Sequence, residues 1–157
     1  MSFEKKEPTY EQTKEKALRL LEFRNHTKKE LERKLKVFGA GEENIQAVLE
    51  FLQEYGLIND REYAKRYALD LQNLKKLGKS RIKSELFAKG IAPEFVEEAI
   101  AELSEDYADT LKELIKKRLK GDFEQKNKDR TIRYFIYRGY SFEEVKRIIS
   151  ELENEQN

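Results

Sequence analysis

Apolar residues recur along this chain at helical spacing, and one arrangement of them appears three times. When Gly39 is aligned with Gly90 and Gly139, the intervals are 51 and 49 residues and no gap is needed around the glycine. Apolar residues then coincide at four positions of each unit. A period near 50 residues predicts a tandem helical array rather than one conventional core. The predicted core positions are Leu35, Leu86 and Phe135; Ile45, Val96 and Val145; Leu49, Ile100 and Ile149; and Leu52, Leu103 and Leu152.

Each unit is predicted to contain three helices and no strand, because apolar residues recur at i, i+3, i+4 and i+7 without strand-like alternation. The predicted helices are Tyr10–Arg24, Lys28–Phe38, Glu42–Tyr55, Asp60–Leu77, Lys79–Lys89, Pro93–Leu103, Glu105–Lys120, Lys128–Arg138 and Phe142–Glu153. The corresponding divisions are a flexible tail at 1–9, repeats at 10–59, 60–104 and 105–153, and a second tail at 154–157.

Residues favoured at helix ends agree with this division. The middle helix of each unit is predicted to end at a glycine that adopts the left-handed conformation without steric cost, namely Gly39, Gly90 and Gly139. It is predicted to begin after an accepted N-cap residue, namely Thr27, Gly78 and Asn127. Two capping boxes are predicted, at Thr27 with Glu30 and at Ser141 with Glu144.

Composition narrows the class of protein. Of the 157 residues, 40% are charged and 38% are apolar, which suits a thin repeat protein better than one large globule. The chain has no cysteine, which excludes disulfides and thiolate chemistry. No apolar run approaches the roughly 20 residues that span a bilayer, and the first residues lack a signal-peptide core. We therefore expect a soluble, cytoplasmic monomer with no membrane contact.

The net charge of +1 conceals segregated blocks of charge. Residues 61–90 contain nine Lys/Arg against three Asp/Glu, and residues 111–138 contain ten against four. Residues 91–109 contain seven acidic and no basic residues. Such segregation favours a polyanionic partner, although a highly charged helical chain can also form blocks by chance while its charges solvate outer faces.

Candidates for catalysis are few. The single histidine, His26, lies in a turn, and no Ser-His-Asp or Cys-His set can be assembled. No glycine-rich phosphate loop or His/Cys metal cluster occurs. Glu98 and Glu102 share a helix face, which is more often solvated than metal-binding. We expect no catalytic residue, no metal and no cofactor.

Basic residues are more informative. Lys28, Lys79 and Lys128 occupy the first position of the predicted middle helices, where a cation opposes the helix dipole. An anion bound at the exposed N–H groups would favour such lysines, and chance in a lysine-rich chain is the alternative. Arg81 and Arg130 are also equivalent between units.

The third middle helix is predicted to present two faces. Ile132, Phe135 and Ile136 form one, and the other carries Arg130, Arg133, Tyr134 and Tyr137. A basic stripe interleaved with tyrosines suits phosphate contact with base stacking. It equally suits an acidic protein partner, and the tyrosines can instead pack beneath a neighbouring unit. Further lysines and arginines surround this helix, at Lys116, Lys117, Arg118, Lys120, Lys126 and Lys128.

Four segments resemble the RecX family, bacterial regulatory proteins of the RecA recombinase. They are TKKELERKL (27–35), GLINDREYA (56–64), GKSRIKSELFAKGI (78–91) and RYFIYRGYSFEEV (133–145). The resemblance covers roughly 11–152. It implies an all-α, curved and elongated right-handed array of three three-helix repeats. It also implies a non-enzymatic protein that binds the RecA–DNA filament and limits recombinase and ATPase activity in recombination, DNA repair and the SOS response.

The resemblance points by position to Lys79, Arg81, Lys83, Arg130, Arg133 and Arg138. This chain has GKSR (78–81) where a richer arginine run is common in the family. Combined with the residue patterns, the predicted partner or DNA-binding set is Lys79, Arg81, Lys83, Lys116, Lys117, Lys128, Arg130, Arg133, Tyr134, Tyr137 and Arg138. A rival hypothesis is a nucleic-acid-binding module, for single- or double-stranded DNA, that needs no recombinase. A carboxylate-dependent nuclease using Glu98 is a third.

Overall fold

The computed structural model describes residues 6–105 and 107–157, and the regular structure of these residues is entirely helical. Nine helices lie within the described ranges: α1 (Tyr10–Phe23), α2 (Lys28–Phe38), α3 (Glu42–Glu54), α4 (Asp60–Asn73), α5 (Lys79–Ala88), α6 (Pro93–Ala101), α7 (Ala108–Leu119), α8 (Gln125–Tyr137) and α9 (Phe142–Glu155). The predicted all-α fold of tandem three-helix units is confirmed.

The repeated apolar positions form the core, as predicted. Eleven of the twelve are buried, from Leu35 in α2 to Leu152 in α9. The exception is Ile100, which is half-buried. In α6 the neighbouring Ala99 is buried instead. Because burying a Leu or Ile side chain contributes about 1.5–3 kcal/mol, each repeated position contributes to stability, as do other buried residues such as Leu31 and Ile115.

The described residues group into two compact units. The N-terminal unit consists of residues up to Tyr67 together with Leu86–Ala99, and the C-terminal unit consists of Ala68–Glu85 together with Ile100–Asn157. In the N-terminal unit α1, α2 and α3 pack around a cluster that contains Leu31, Leu35 and Leu49. In the C-terminal unit α7, α8 and α9 pack around one that contains Ile115 and Phe135. The repeat boundaries at 59/60 and 104/105 stay a prediction.

Most predicted helix ends are confirmed. Thr27 and Glu30 form the predicted capping box. At the start of α9, Ser141 accepts a hydrogen bond from the Glu144 N–H at 3.2 Å, which is the N-cap half of the second predicted box. Gly39, Gly90 and Gly139 all have positive φ. Residues 1–5 of the predicted flexible tail lie outside the described residues, but Thr9 forms a further capping box with Gln12 and so begins α1.

The start of α8 differs from the prediction. The helix begins at Gln125, so Lys128 is not its first residue and Asn127 is not its N-cap. The Asn127 side-chain amide instead donates to the carbonyl oxygens of Leu119 and Asp122, at 3.1 and 2.9 Å. The Asn127 side chain thus bonds to the α7–α8 connection, and α8 starts three residues earlier than predicted.

The end of α4 was also predicted wrongly. The helix stops at Asn73 rather than at Leu77, because Lys76 adopts a left-handed φ of 57° and breaks the helical hydrogen-bond ladder. The Leu77 N–H then returns to the Leu71 carbonyl at 3.1 Å. Similarly, α7 begins at Ala108 rather than at Glu105, with Tyr107 at the N-cap position.

A charged network supports the N-terminal unit. Glu30 is 11% exposed at its side chain and lies 2.9 Å from the Arg24 guanidinium and 3.6 Å from the Lys89 ammonium. Burial by itself would raise the pKa of Glu30. Hydrogen bonds from Arg24 and from the Thr27 N–H, with the Lys89 charge, outweigh burial and lower the pKa to about 2.

His26 is structural. Its buried ring lies 2.9 Å from the Arg24 carbonyl through Nδ1 and 2.8 Å from the Lys34 ammonium through Nε2. Burial lowers the pKa of His26. A neutral ring that donates from Nδ1 and accepts at Nε2 satisfies both partners.

Two glycines bring separate turns of the C-terminal unit into backbone contact. The Gly78 N–H donates to the Arg138 carbonyl at 2.8 Å, and the Ser80 N–H donates to the Gly139 carbonyl at 3.3 Å. A Cβ on Gly78 would overlap the Gly139 carbonyl, and a Cβ on Gly139 would lie 2.5 Å from the Arg81 backbone nitrogen. No larger residue fits either position without moving the backbone.

We expect Gly78→Ala to lower the free energy of unfolding by about 1–3 kcal/mol, because the added methyl group overpacks a rigid backbone contact. The control is Gly41→Ala. Gly41 also precedes a helix, but the nearest atom to its added Cβ is the end of the flexible Glu7 side chain. Urea unfolding measures both, and equal values for the two variants would contradict the close approach.

Glu30→Gln should reduce the acid sensitivity of the fold. A carboxylate whose pKa falls from 4.5 to about 2 on folding contributes stability above pH 4.5 that is lost as the pH falls toward 2. The contribution at neutral pH is at most about 3 kcal/mol. Urea unfolding between pH 7 and pH 2.5 should show a shallower loss in Glu30→Gln than in the wild type. Glu43→Gln, at an exposed carboxylate of α3, should follow the wild-type curve.

Candidate functional site

A groove of about 660 Å³ lies in the C-terminal unit, between α7, α8 and the connection from α4 to α5. We name it the basic groove, because seven of the described residues that line it are cationic and one, Asp122, is acidic. The seven cations are Lys75, Lys76, Lys117, Arg118, Lys120, Arg130 and Arg138. Such a concentration of one sign in a concave surface focuses the electrostatic potential there.

Three segments position these charges. Lys117 and Arg118 stand in the last turn of α7, where cations complement the helix dipole by about 0.3–1 kcal/mol. Arg130 and Tyr134 are four residues apart on α8, so their side chains leave the same helix face. Lys75 and Lys76 come from the irregular connection after α4.

Most cations of the groove lack an acidic partner. Within residues 6–105 and 107–157, no carboxylate lies within 4.0 Å of Lys75, Lys76, Lys117, Lys120 or Arg130. Outside the groove, one cation of each of these helices is paired: Lys112 with Glu155 at 2.7 Å and Lys128 with Glu153 at 3.2 Å. The arrangement therefore leaves positive charge available to an anionic ligand.

Tyr134 organises two of the guanidinium groups. The Arg118 guanidinium carbon lies 3.4 Å from the centroid of the Tyr134 ring, and that of Arg138 lies 5.7 Å away. The ring itself packs against the buried cluster of the unit and meets Phe135 edge-on at 5.0 Å. Cation–π contact of this kind contributes about 0.5–2 kcal/mol.

The turn after α8 fixes the lysine pair. The Arg138 side chain donates through Nη2 to the Lys75 carbonyl, and the Tyr140 hydroxyl donates to the Lys76 carbonyl at 2.7 Å. Tyr140 is buried, and burial raises its pKa well above the ordinary range. It therefore stays protonated and able to donate at all relevant pH values.

The structure brings four of the predicted site residues together in the basic groove: Lys117, Arg130, Tyr134 and Arg138. Three others are engaged with carboxylates. Lys79 lies 3.9 Å from Glu105, Arg81 lies 2.9 Å from Glu85, and Lys128 is paired as described above. These three are not among the residues that line the groove.

The remaining predicted residues are exposed but do not line the groove. Arg133 lies on α8 and Lys83 on α5. Lys116 lines a smaller depression beside Glu155. Tyr137 is 72% exposed and lies under the Arg81 guanidinium, whose carbon is 4.9 Å from its ring centroid.

The predicted division of α8 into two faces needs correction. Ile136, assigned to the apolar face, is 44% exposed, and Thr131 is buried in its place beside Phe135. Thr131 is accommodated because its hydroxyl donates to the Asn127 carbonyl at 2.9 Å. Tyr134, assigned to the outer face, is half-buried.

Sequence reasoning missed the pair Lys75 and Lys76 as site residues, and it treated Arg118 and Lys120 only as surrounding charge. The sequence feature that could have identified the pair is two adjacent lysines near the predicted C-terminal end of α4. In the part of the chain that the structure describes, no helix is long and apolar enough to cross a membrane, and no group of three or more acidic or histidine side chains could hold a metal ion.

Two models of known protein domains match the first two predicted repeats of this chain. Models of the first and second three-helix domains of RecX match residues 14–52 and 59–100. The regulatory protein RecX of Vibrio vulnificus is 34% identical over 140 residues, which are 88% of this chain and 91% of that protein. That of Clostridioides difficile is 33% identical over 150 residues, which are 92% and 70% of the two chains.

A solved structure agrees with these comparisons. The crystal structure of RecX from Lactobacillus salivarius has a TM-score of 0.79 and 27% sequence identity, and the match covers 92% of this chain and 96% of that one. The similarity in sequence and fold extends over most of the chain. The chain therefore belongs to the RecX family of regulatory proteins.

Proposed function

We propose that this protein binds the RecA–DNA filament in the cytoplasm and inhibits RecA recombinase and ATPase activity without catalysing a reaction. Membership in the RecX family supports the regulatory role. The single structural observation that carries the proposal is the basic groove, in which cations from three segments stand together without carboxylate partners in the described chain.

The physical basis of binding is electrostatic attraction to a polyanionic fibre. The net charge of the chain is only +1, so long-range attraction depends on the local excess of positive charge at the groove. Neutralising phosphates releases condensed counterions, and the observed affinity should fall steeply as salt is added. An inhibitor of this kind acts by occupying the filament and needs no catalytic group.

Within the proposed interface, Lys117 and Arg130 make direct contact with the filament, since both are exposed and face the groove from different helices. Arg133 and Tyr137 extend the surface along α8. Arg138 is engaged with the Lys75 carbonyl and contributes by holding the lysine pair in place.

We expect Lys117→Glu combined with Arg130→Glu to abolish inhibition of RecA-dependent ATP hydrolysis on single-stranded DNA. Both side chains are exposed and have no carboxylate within 4.0 Å in the described chain, but Lys117 stands in the last turn of α7, so the charge reversals should lower the free energy of unfolding by no more than about 1–2 kcal/mol. Urea unfolding verifies that the variant is folded. A coupled assay of ATP hydrolysis, titrated with protein, measures the inhibition.

The matched control reverses two exposed arginines of the N-terminal unit, in Arg33→Glu with Arg66→Glu. It changes the net charge by the same amount but leaves the groove intact, so inhibition should stay within about twofold of the wild type. Full inhibition by the folded groove variant would refute the proposed interface. Equal loss in both double variants would indicate dependence on net charge alone.

A further inference from the structure

One face of the Tyr134 ring is already occupied. The Arg118 guanidinium covers it at 3.4 Å from the centroid, which is stacking distance. A nucleic-acid base that stacked on this face would have to displace the guanidinium and lose the cation–π contact. The predicted role of Tyr134 as a base-stacking platform therefore conflicts with its surroundings on this side.

The same contact leaves Arg118 suited to another role. A guanidinium is planar and carries its N–H donors around its edge, so stacking on a ring leaves those donors pointing outward in a fixed plane. The ring is packed against the buried cluster, which gives the guanidinium a rigid support. In the described chain no carboxylate lies within 4.0 Å of Arg118, so its donors can bind an external oxyanion.

The character of the lining indicates which oxyanion fits. Of the apolar residues that line the groove, Leu119 and Phe135 are each 2% exposed, and Leu114 and Tyr134 are half-buried. Apart from Asp122, the exposed residues of the described lining are all lysines and arginines. An acidic peptide is usually held by apolar or aromatic anchors in desolvated pockets, and this surface offers few. A nucleic-acid strand carries one negative charge per nucleotide and needs no pocket for a side chain, so it fits this surface better.

We infer that the basic groove binds the sugar–phosphate backbone of a nucleic-acid strand without reading its bases, and that Tyr134 is the positioning residue that holds Arg118 toward a phosphate. The inference deepens the proposed function and rests on it for the biological partner. Its chemistry concerns the groove alone, so it can be tested on the intact chain without RecA.

The test is a double-mutant cycle on binding of a fluorescein-labelled oligothymidylate at low salt. Arg118→Lys keeps the charge but loses the planar fork, and should weaken binding about five- to tenfold. Tyr134→Leu should weaken it to a similar extent. The two together should be no weaker than either alone, because Arg118 is no longer oriented once the ring is gone. Tyr134→Phe retains the ring and should bind like the wild type.

A second measurement replaces the oligothymidylate by an abasic oligonucleotide of equal length. We expect its affinity to be within about twofold, because the contacts are to phosphates. Loss of most of the binding to the abasic strand would show that bases stack in the groove, and would overturn the inference. Inorganic polyphosphate serves as a third ligand, and binding of polyphosphate but not of either oligonucleotide would also overturn it.

The remaining outcomes separate the inference from a purely structural role and from the proposed function. If the effects of Arg118→Lys and Tyr134→Leu multiply, Tyr134 does not act through Arg118 and its assignment fails. If strand binding behaves as expected while RecA hydrolysis is uninhibited by the wild type, the inference stands and the proposed function fails. Inhibition of RecA by a protein that binds neither oligonucleotide overturns the inference alone.

Discussion

The backbone contact between Gly78 and Gly139 is the constraint on which the basic groove depends. It joins the connection that follows α4 to the turn that follows α8, with hydrogen bonds from Gly78 and Ser80 across the contact. The same turn supplies Arg138 and Tyr140, whose side chains hold the carbonyls of Lys75 and Lys76. The close approach of Gly78 and Gly139, which both lack a Cβ, therefore places Lys75 and Lys76 beside α7 and α8 in the groove.

Concentrating positive charge in one groove costs electrostatic energy, and the surrounding structure limits that cost in identifiable ways. The carbonyl end of α7 lies beside Lys117 and Arg118, and the Tyr134 ring carries negative potential toward Arg118. Acidic residues of the C-terminal unit are used elsewhere, as in Lys112–Glu155. The unit thus pairs some of its outer cations and leaves those of the groove without carboxylate partners in the described chain, which is the pattern expected of a binding surface.

Sequence reasoning predicted the fold in detail because the signals are local and repeated three times. Eleven of the twelve aligned apolar positions are buried, and the capping box at Thr27 forms as predicted. Two of the errors occur beside turns. Lys76 carries no sequence signal for the left-handed conformation that follows the early end of α4, and Asn127 bonds to the preceding connection rather than capping α8. Such turns are imposed by tertiary contacts, which no local pattern reveals.

The candidate site could be predicted only in part for the same reason. A helical stripe located Arg130 and Tyr134, because periodicity places them on one face of α8. Nothing local indicated that a connection more than fifty residues earlier would lie against that helix. The sequence also favoured burial of Ile136 rather than Thr131, because isoleucine is the more hydrophobic residue. Hydropathy does not take into account that the Thr131 hydroxyl can donate to the carbonyl four residues earlier.

Arg138 shows why a basic residue at a matching position does not identify a contact. Its guanidinium donates to the Lys75 carbonyl and its own carbonyl accepts from Gly78, so both ends of the residue serve the junction of the two turns. Replacing it would remove one cation and displace two others, and a large loss of binding would follow even if Arg138 never touched a ligand. In the described chain, the side chains of Lys117 and Arg130 make no comparable hydrogen bond to the protein. The role of each cation therefore depends on whether its side chain already makes a hydrogen bond or ion pair within the protein. Cations without such a bond in the described chain are the ones suited to direct contact with a ligand.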